Sequence, residues 1–414
     1  MEASNTLSAL DITQCPRADQ IIAEACRKTG IDDLGDPARN KGLEVFVQSL
    51  RQESWGGMTP RARELAVGFL VHHLTSRLKL MADRKAYSEI AQQKIVAPLI
   101  VVGPPRSGST LLHMLLSLDP DNMAPEHWIC REPSPPFAKG QPSPERLHQA
   151  ERRMMELFEL IPDIFITHPY MIEEGAGALA ECGSDILNMV CTSQQMWCFW
   201  GGEIYRRFLL SADHTAALGF HHDFLQHMQW GNRGKRWALK GSDHMLWMAE
   251  LAAQYPDAKL IWTHRDLAQQ LGSLASVQSI LLGLRGHPVT ADERRAQGVR
   301  AIELQRASVE KAMKAREAIG DARFIDISYH AMMADPLRTV QQIYEWSGLT
   351  VSAQHEANIR AWLADHAQTK HGVHKHSPEE FGMNAGEVNA QFAGYVDRFG
   401  FGFGIRPELT AGRA

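Results

Sequence analysis

Between Ile95 and Leu118 the chain reads IVAPLIVVG, then PPRSGS, then TLLHMLLSL. A short β-branched run that stops at Gly-Pro-Pro reads as a buried strand, with Pro98 near its start, where proline is tolerated. The apolar stretch from Thr110 reads as a helix, and the polar loop joins the two. Gly103 and Gly108 stand at the spacing of the phosphate-loop pattern G-x-x-x-x-G-K-[ST], and Thr110 supplies its hydroxyl. Glycines let such a loop curl so that backbone N–H groups converge, and the helix N-terminus adds potential that favours an anion. The lysine position holds Ser109, and a cation appears earlier, at Arg106. Loss of the lysine that reaches the β- and γ-phosphates argues against an ATP or GTP hydrolase.

The rest of the chain fits an α/β architecture around that unit. RWALKG, KLIWTHR and RFIDISY read as further strands. HMLWMAELAAQYP, DLAQQLGSLASVQSILLG, residues 292–319 and PLRTVQQIYEWSG read as helices. Strands alternating with helices imply right-handed crossovers and a mainly parallel sheet. Apolar spacing of three and four makes residues 17–92 and 146–228 helical. Residues 120–145 carry seven prolines and read as an ordered surface loop. With 414 residues, the chain exceeds the usual single domain of roughly 100–200. The expected organisation is a helical N-terminal extension over 1–94, an α/β domain over 95–400 with a helical insertion at 146–228, and a tail at 401–414.

The net charge of −5 makes non-specific nucleic-acid binding a poor fit, so any anion site must be built locally. The longest apolar run, Lys94–Gly103, falls short of the ~20 residues that span a bilayer. The N-terminus lacks the basic and apolar regions of a secretory signal, and the six cysteines form no C-x-x-C pair. The expectation is a cytoplasmic protein with reduced thiols.

GPPRSGSTLL resembles the 5′-phosphosulfate loop of sulfotransferases of the branch common in bacteria. Those enzymes take 3′-phosphoadenosine 5′-phosphosulfate (PAPS) as sulfuryl donor and share the P-loop kinase-like three-layer fold. The resemblance implies that Pro105, Arg106, Ser107, Gly108, Ser109 and Thr110 bind the donor, with Arg106 on the 5′-phosphate and the bridging oxygen. A second motif agrees. The family's 3′-phosphate motif has an arginine at a strand end and a serine eight residues on, matched here by Arg265 and Ser273. A helix starting after the arginine puts the serine within its first turns, where hydroxyl and guanidinium can share one phosphate. Leu267 replaces the proline often seen after Arg-Asp. The family's Lys-Ser-Pro reads Lys240-Gly241-Ser242, DISYHAMMADPLRTVQQIYEWSGL is similar to its late strand and helix, and HKHSPEEFGMNAGEVNAQFAGYVDRFG to its closing segment. The likeness covers about 95 to 400.

Sulfuryl transfer to an alcohol or phenol needs a proton acceptor and positive charge on the leaving oxygens. The second task falls to Arg106 and Lys240. For the first, family members use a histidine or a glutamate. His168 lies sixty-two residues beyond Arg106, similar to histidine-using members. Glu181 is another candidate, and Glu126, His127 and Glu132 follow the first helix, where glutamate-using members place theirs. The sequence leaves these open. His371, His374 and His376, with Lys370 and Lys375, form a basic loop, read either as closing over the nucleotide or as solvated surface. No metal is expected. Trp197 and Trp200 read as core or acceptor-pocket wall. The acceptor is expected to be a small molecule, with residues 146–228 building its pocket.

Overall fold

The computed structural model describes residues 10–140, 143–168, 173–232, 234–366 and 377–402. The histidine-rich loop around His371, His374 and His376 lies outside them. Two compact units are interleaved along the chain, where the sequence expectation drew its first boundary near 94. The first takes the described residues within Met1–Ile95, Pro125–Arg233 and Ile280–Pro288. The second takes those within Val96–Ala124, Gly234–Ser279 and Val289–Ala414.

The second unit holds a five-stranded parallel sheet: β1 (Leu99–Val102), β2 (Asn122–Met123), β3 (Arg236–Lys240), β4 (Lys259–His264) and β5 (Phe324–Ser328), ordered β2-β3-β1-β4-β5. Every residue of β1 is buried, as expected of a parallel strand covered on both faces. Register pairs Val101 with Lys240, Val102 with Trp262 and His264 with Ser328, so the carboxyl ends of β1, β3 and β4 share one edge of the sheet. In open α/β sheets that edge is where ligands bind. Beneath it, Leu112, Leu115 and Leu116 pack with Leu99, Val101 and Ile261, and with Val340, Ile343 and Tyr344. The helix Pro336–Ser347 starts where local chemistry dictates: the Asp335 side chain accepts from Arg338 N–H, and Pro336 occupies the first turn. Thr290 and Glu293 form a capping box that opens the helix Ala291–Ile319.

The first unit is helical, with long elements at Ala18–Thr29, Lys41–Ser49, Pro60–Ala86, Pro144–Phe158, Glu203–Ser211 and Thr215–Gln229. Glu53 caps one of them from a distance, its carboxylate accepting from Glu203 N–H (3.1 Å) and Ile204 N–H (3.0 Å). Trp200 is fully buried, and its indole donates to Leu284 C=O at 3.1 Å, which makes it core.

The proline-rich stretch 120–145 is not the surface loop its composition suggests. It contributes β2 at the sheet edge and a helix, His127–Arg131, whose five residues are all buried. Proline density marks where regular structure is interrupted and says little about burial. None of the six cysteines forms a disulfide. No helix of the described residues is long and apolar enough to cross a membrane.

Candidate functional site

The loop after β1 is shaped by two glycines with positive φ, Gly103 at 138° and Gly108 at 89°. Side chains are excluded there by neighbours as well as by backbone angle. A Cβ on Gly103 would lie 2.5 Å from Thr263 Oγ1, and one on Gly108 would lie 2.7 Å from the Tyr329 ring. Gly108 is the N-cap of the helix Ser109–Ser117, so the loop's N–H groups open onto a helix N-terminus. Ser107 is fully buried. Its hydroxyl donates to Pro104 C=O (2.6 Å) and lies 2.6 Å from the Thr263 hydroxyl, leaving only its backbone to face a ligand. Pro105 is half-buried, Ser109 is buried at the first helical position, and Thr110 is exposed. His113 fixes that helix to the sheet through a ring nitrogen 3.0 Å from Ala238 C=O.

Three basic or hydroxyl groups from distant parts of the chain, those of Lys240, Arg265 and Ser273, gather around the loop. Lys240, the last residue of β3, is buried and donates to Thr110 Oγ1 at 3.3 Å. Arg265 follows β4. Its Nη1 donates to Arg106 C=O at 3.0 Å, its Nη2 donates to Gln269 Oε1 at 2.9 Å, and its guanidinium lies 4.1 Å from the centre of the Tyr329 ring. Arg106 has a left-handed φ of 69°, and its Nε donates to Ser273 Oγ at 3.0 Å. Thus Arg106, Ser107, Gly108, Ser109, Thr110, Lys240, Arg265 and Ser273 come together within the second unit. Guanidinium forks and an ammonium beside a helix N-terminus are equipped to hold two phosphate groups. Sequence reasoning missed Thr263, Gln269 and Tyr329. Gln269 stands one turn after Arg265, a spacing that could have revealed it; Tyr329 left no local signal.

The candidate bases lie in the first unit. The segments that carry Glu126 and Glu181 are joined by an antiparallel bridge between Glu126 and Leu179, reinforced by His127 N–H to Ala178 C=O (2.9 Å) and Ala180 N–H to Pro125 C=O (2.9 Å). Glu126 is half-buried, and burial raises its pKa against an opposing hydrogen bond from the Trp128 indole. His127 is buried, with Nδ1 3.2 Å from Asp185 Oδ1 and 3.1 Å from Arg131 Nη1. Burial works to raise the Asp185 pKa, but His127 and Arg131 overcome it and hold the carboxyl at about 2. Glu132 is buried, with its pKa raised by desolvation. His168 ends the short helix Ile164–Thr167, with Nδ1 2.9 Å from the Thr167 hydroxyl.

The sequence profile of the Sulfotransferase family matches residues 98–353. The chain belongs to the sulfotransferase family. Sulfotransferases of mycobacteria are similar to it in sequence and in fold. The omega-hydroxy-beta-dihydromenaquinone-9 sulfotransferase Stf3 of Mycobacterium bovis is 23% identical over 328 residues, covering 73% of this chain and 75% of that protein. The crystal structure of sulfotransferase STF9 from Mycobacterium avium is 28% identical, covers 96% of this chain and 98% of its own, and superposes with a TM-score of 0.79. That of sulfotransferase STF1 from Mycobacterium tuberculosis H37Rv is 26% identical, covers 92% and 99%, and has a TM-score of 0.74. The expected α/β sulfotransferase fold with large helical insertions is the fold observed.

Proposed function

We propose that this sulfotransferase moves a sulfuryl group from PAPS to a hydroxyl of a small, largely apolar acceptor. The observation that carries the donor assignment is the gathering of the Gly103–Thr110 loop, Lys240, Arg265 and Ser273 at the carboxyl edge of one parallel sheet. A 3′,5′-bisphosphorylated nucleotide presents two phosphates, and two basic subsites match it. The loop and Lys240 take the 5′-phosphosulfate, while Arg265 and Ser273 take the 3′-phosphate. As the bond from sulfur to the bridging oxygen lengthens, that oxygen gains negative charge. A fixed cation stabilises this charge more in the transition state than in the ground state, and only that difference raises turnover.

The acceptor proton needs a base, and Glu126 is our choice among the candidates. It stays half-buried at a helix start, and its raised pKa suits a group that must take a proton and hold it. His127 is placed to brace that turn through Asp185. His168, Glu181 and Glu132 are the alternatives. Residues 146–228 are assigned to the acceptor side. The Stf3 relatives are named for an omega-hydroxylated dihydromenaquinone, which favours a hydroxyl on an apolar molecule here.

The test is formation of 3′-phosphoadenosine 5′-phosphate from PAPS with a panel of phenols, aliphatic alcohols and an omega-hydroxylated isoprenoid quinone. Acceptor-dependent turnover on at least one supports the reading. Turnover with ATP and magnesium in place of PAPS would overturn it.

A further inference from the structure

The last residue of β4, His264, is buried and held on both ring nitrogens by other elements of the second unit. Its Nε2 lies 2.9 Å from Asp326 Oδ1 on β5, and its Nδ1 lies 3.0 Å from the hydroxyl of Tyr395, in the helix Ala393–Phe399. A carboxylate only accepts, so Nε2–H donates to Asp326 and Nδ1 accepts from the tyrosine O–H. Asp326 is gripped in turn by the Arg316 guanidinium, with Nη1 at 2.7 Å and Nη2 at 2.9 Å. Burial works to raise the Asp326 pKa, but His264 and Arg316 overcome it and keep the carboxylate ionised. The His264 ring stacks with Trp262 and Phe401 and lies 4.4 Å from Phe399, centre to centre. A second tie runs along the backbone, where Leu267 N–H donates to Gly402 C=O at 3.3 Å. The segment from Tyr395 to Gly402 therefore holds the chain on both sides of Arg265, at His264 and at Leu267.

We propose that His264 is a positioning residue, which, joined to Asp326 and Tyr395, fixes the turn from which Arg265 reaches a 3′-phosphate. The inference rests on the assignment of Arg265 to that phosphate. An apolar side chain in the same aromatic packing would fill the space without the cost of burying an imidazole against a carboxylate. What the polar chain adds is direction. Each of its hydrogen bonds has a preferred distance and angle, so Arg316, Asp326, His264 and Tyr395 fit together in one register. Arg265 is the next residue along the chain and inherits that register. A guanidinium fork needs it, because a misdirected fork loses a phosphate hydrogen bond even while its charge remains. The effect is confined to the 3′-phosphate, since the 5′-phosphosulfate is assigned to the Gly103–Thr110 loop and Lys240, which stand on β1 and β3.

Tyr395→Phe tests the chain gently, because it removes one hydroxyl and keeps the ring against His264 and Phe399. Affinity for 3′-phosphoadenosine 5′-phosphate falls by about 2- to 12-fold, the range for one net hydrogen bond, while affinity for adenosine 5′-phosphate is unchanged. The KM for PAPS rises in the same proportion and kcat is kept. His264→Leu loses both hydrogen bonds and falls further. His264→Gln, whose amide still offers one donor and one acceptor, recovers part of the difference. Tyr344→Phe is the control. Tyr344 is a buried tyrosine of the same unit, and its hydroxyl donates to Asp119 Oδ2 at 2.7 Å. If the His264 chain served only stability, the two tyrosine variants would change melting temperature and nucleotide affinity alike.

The experiment titrates the unmodified enzyme and these four variants with both nucleotides by calorimetry, and measures kcat and KM for PAPS in the same set. The expected result is a lower ratio of the two affinities in Tyr395→Phe, lower still in His264→Leu, partly restored in His264→Gln and unmodified in Tyr344→Phe. An unchanged ratio in Tyr395→Phe overturns the inference, and so does an equal fall in Tyr344→Phe or a loss shared equally by both nucleotides. Should His264→Leu fail to fold, Tyr395→Phe alone decides between these outcomes. Equal affinity of the unmodified enzyme for the two nucleotides overturns the assignment of Arg265 to a 3′-phosphate, a separate outcome.

Discussion

Gly108→Ala is a substitution that the Gly103–Thr110 loop should tolerate poorly. Gly108 caps the helix Ser109–Ser117 at φ 89°, ψ 7°. Placing an L-residue in that region costs about 1–2 kcal/mol. The new methyl would stand 2.6 Å from Met332 Cε and 2.7 Å from Tyr329 Cδ2. Methionine can swing its end away. The tyrosine ring is constrained, because Arg265 lies 4.1 Å from its centre. Forcing an extra carbon into a packed site costs about 1–3 kcal/mol. Together these give about 2–5 kcal/mol, carried either by global stability or by a shift of Tyr329 and Arg265. If the shift carries it, affinity for 3′-phosphoadenosine 5′-phosphate falls by about 30-fold or more. Circular dichroism melting and calorimetric titration with that nucleotide read the two routes separately. Gly394→Ala serves as control, since its Cβ would meet nothing within 4 Å. Unmodified melting and affinity in Gly108→Ala would refute the packing argument.

Other outcomes follow from the same geometry. Arg265→Ala removes a charge-assisted phosphate contact and weakens donor binding by about 1.5–3 kcal/mol, read by titration. Arg106→Ala lowers turnover more than affinity for the desulfated nucleotide, and Arg106→Lys retains part of the activity because charge survives the loss of the planar fork. Glu126→Gln cuts turnover by about 10²–10⁴ with nucleotide binding intact, and in the unmodified enzyme turnover rises with pH through a pKa above the ordinary 4.5, the direction burial imposes. Asp185→Asn leaves Arg131 unpaired and destabilises the first unit by about 3–5 kcal/mol. The Asp185 pKa is lowered from 3.8 to about 2, so the stabilisation is complete above about pH 4 and is lost as pH falls toward 2. The melting difference between variant and unmodified enzyme should shrink over that window.

The cluster of residues at the sheet edge was legible because its signals are local. Loop spacing, a lysine at the end of one strand and an arginine and serine eight apart each occupy a short stretch, and the alternation of strands and helices makes them share a sheet edge. What escaped depends on pairing across long separations. Tyr329 reaches Arg265 only because β5 lies beside β4, and Thr263 braces Ser107 only because β1 and β4 are neighbours. The two-residue β2 and the buried helix His127–Arg131 sit among prolines, where periodicity is too short to read. Interleaving of the units escaped for the same reason, since nothing in residues 17–92 states which later segment they pack with. The base was the least legible part, because a general base is chosen by its surroundings and three segments offered one.

The most direct test of the donor assignment compares two nucleotides on the unmodified enzyme by calorimetry. 3′-Phosphoadenosine 5′-phosphate should bind at least about 10-fold more tightly than adenosine 5′-phosphate, the factor that one charge-assisted contact of about 1.5 kcal/mol provides. Equal affinities, or tighter binding of ATP with magnesium than of either, would contradict the account.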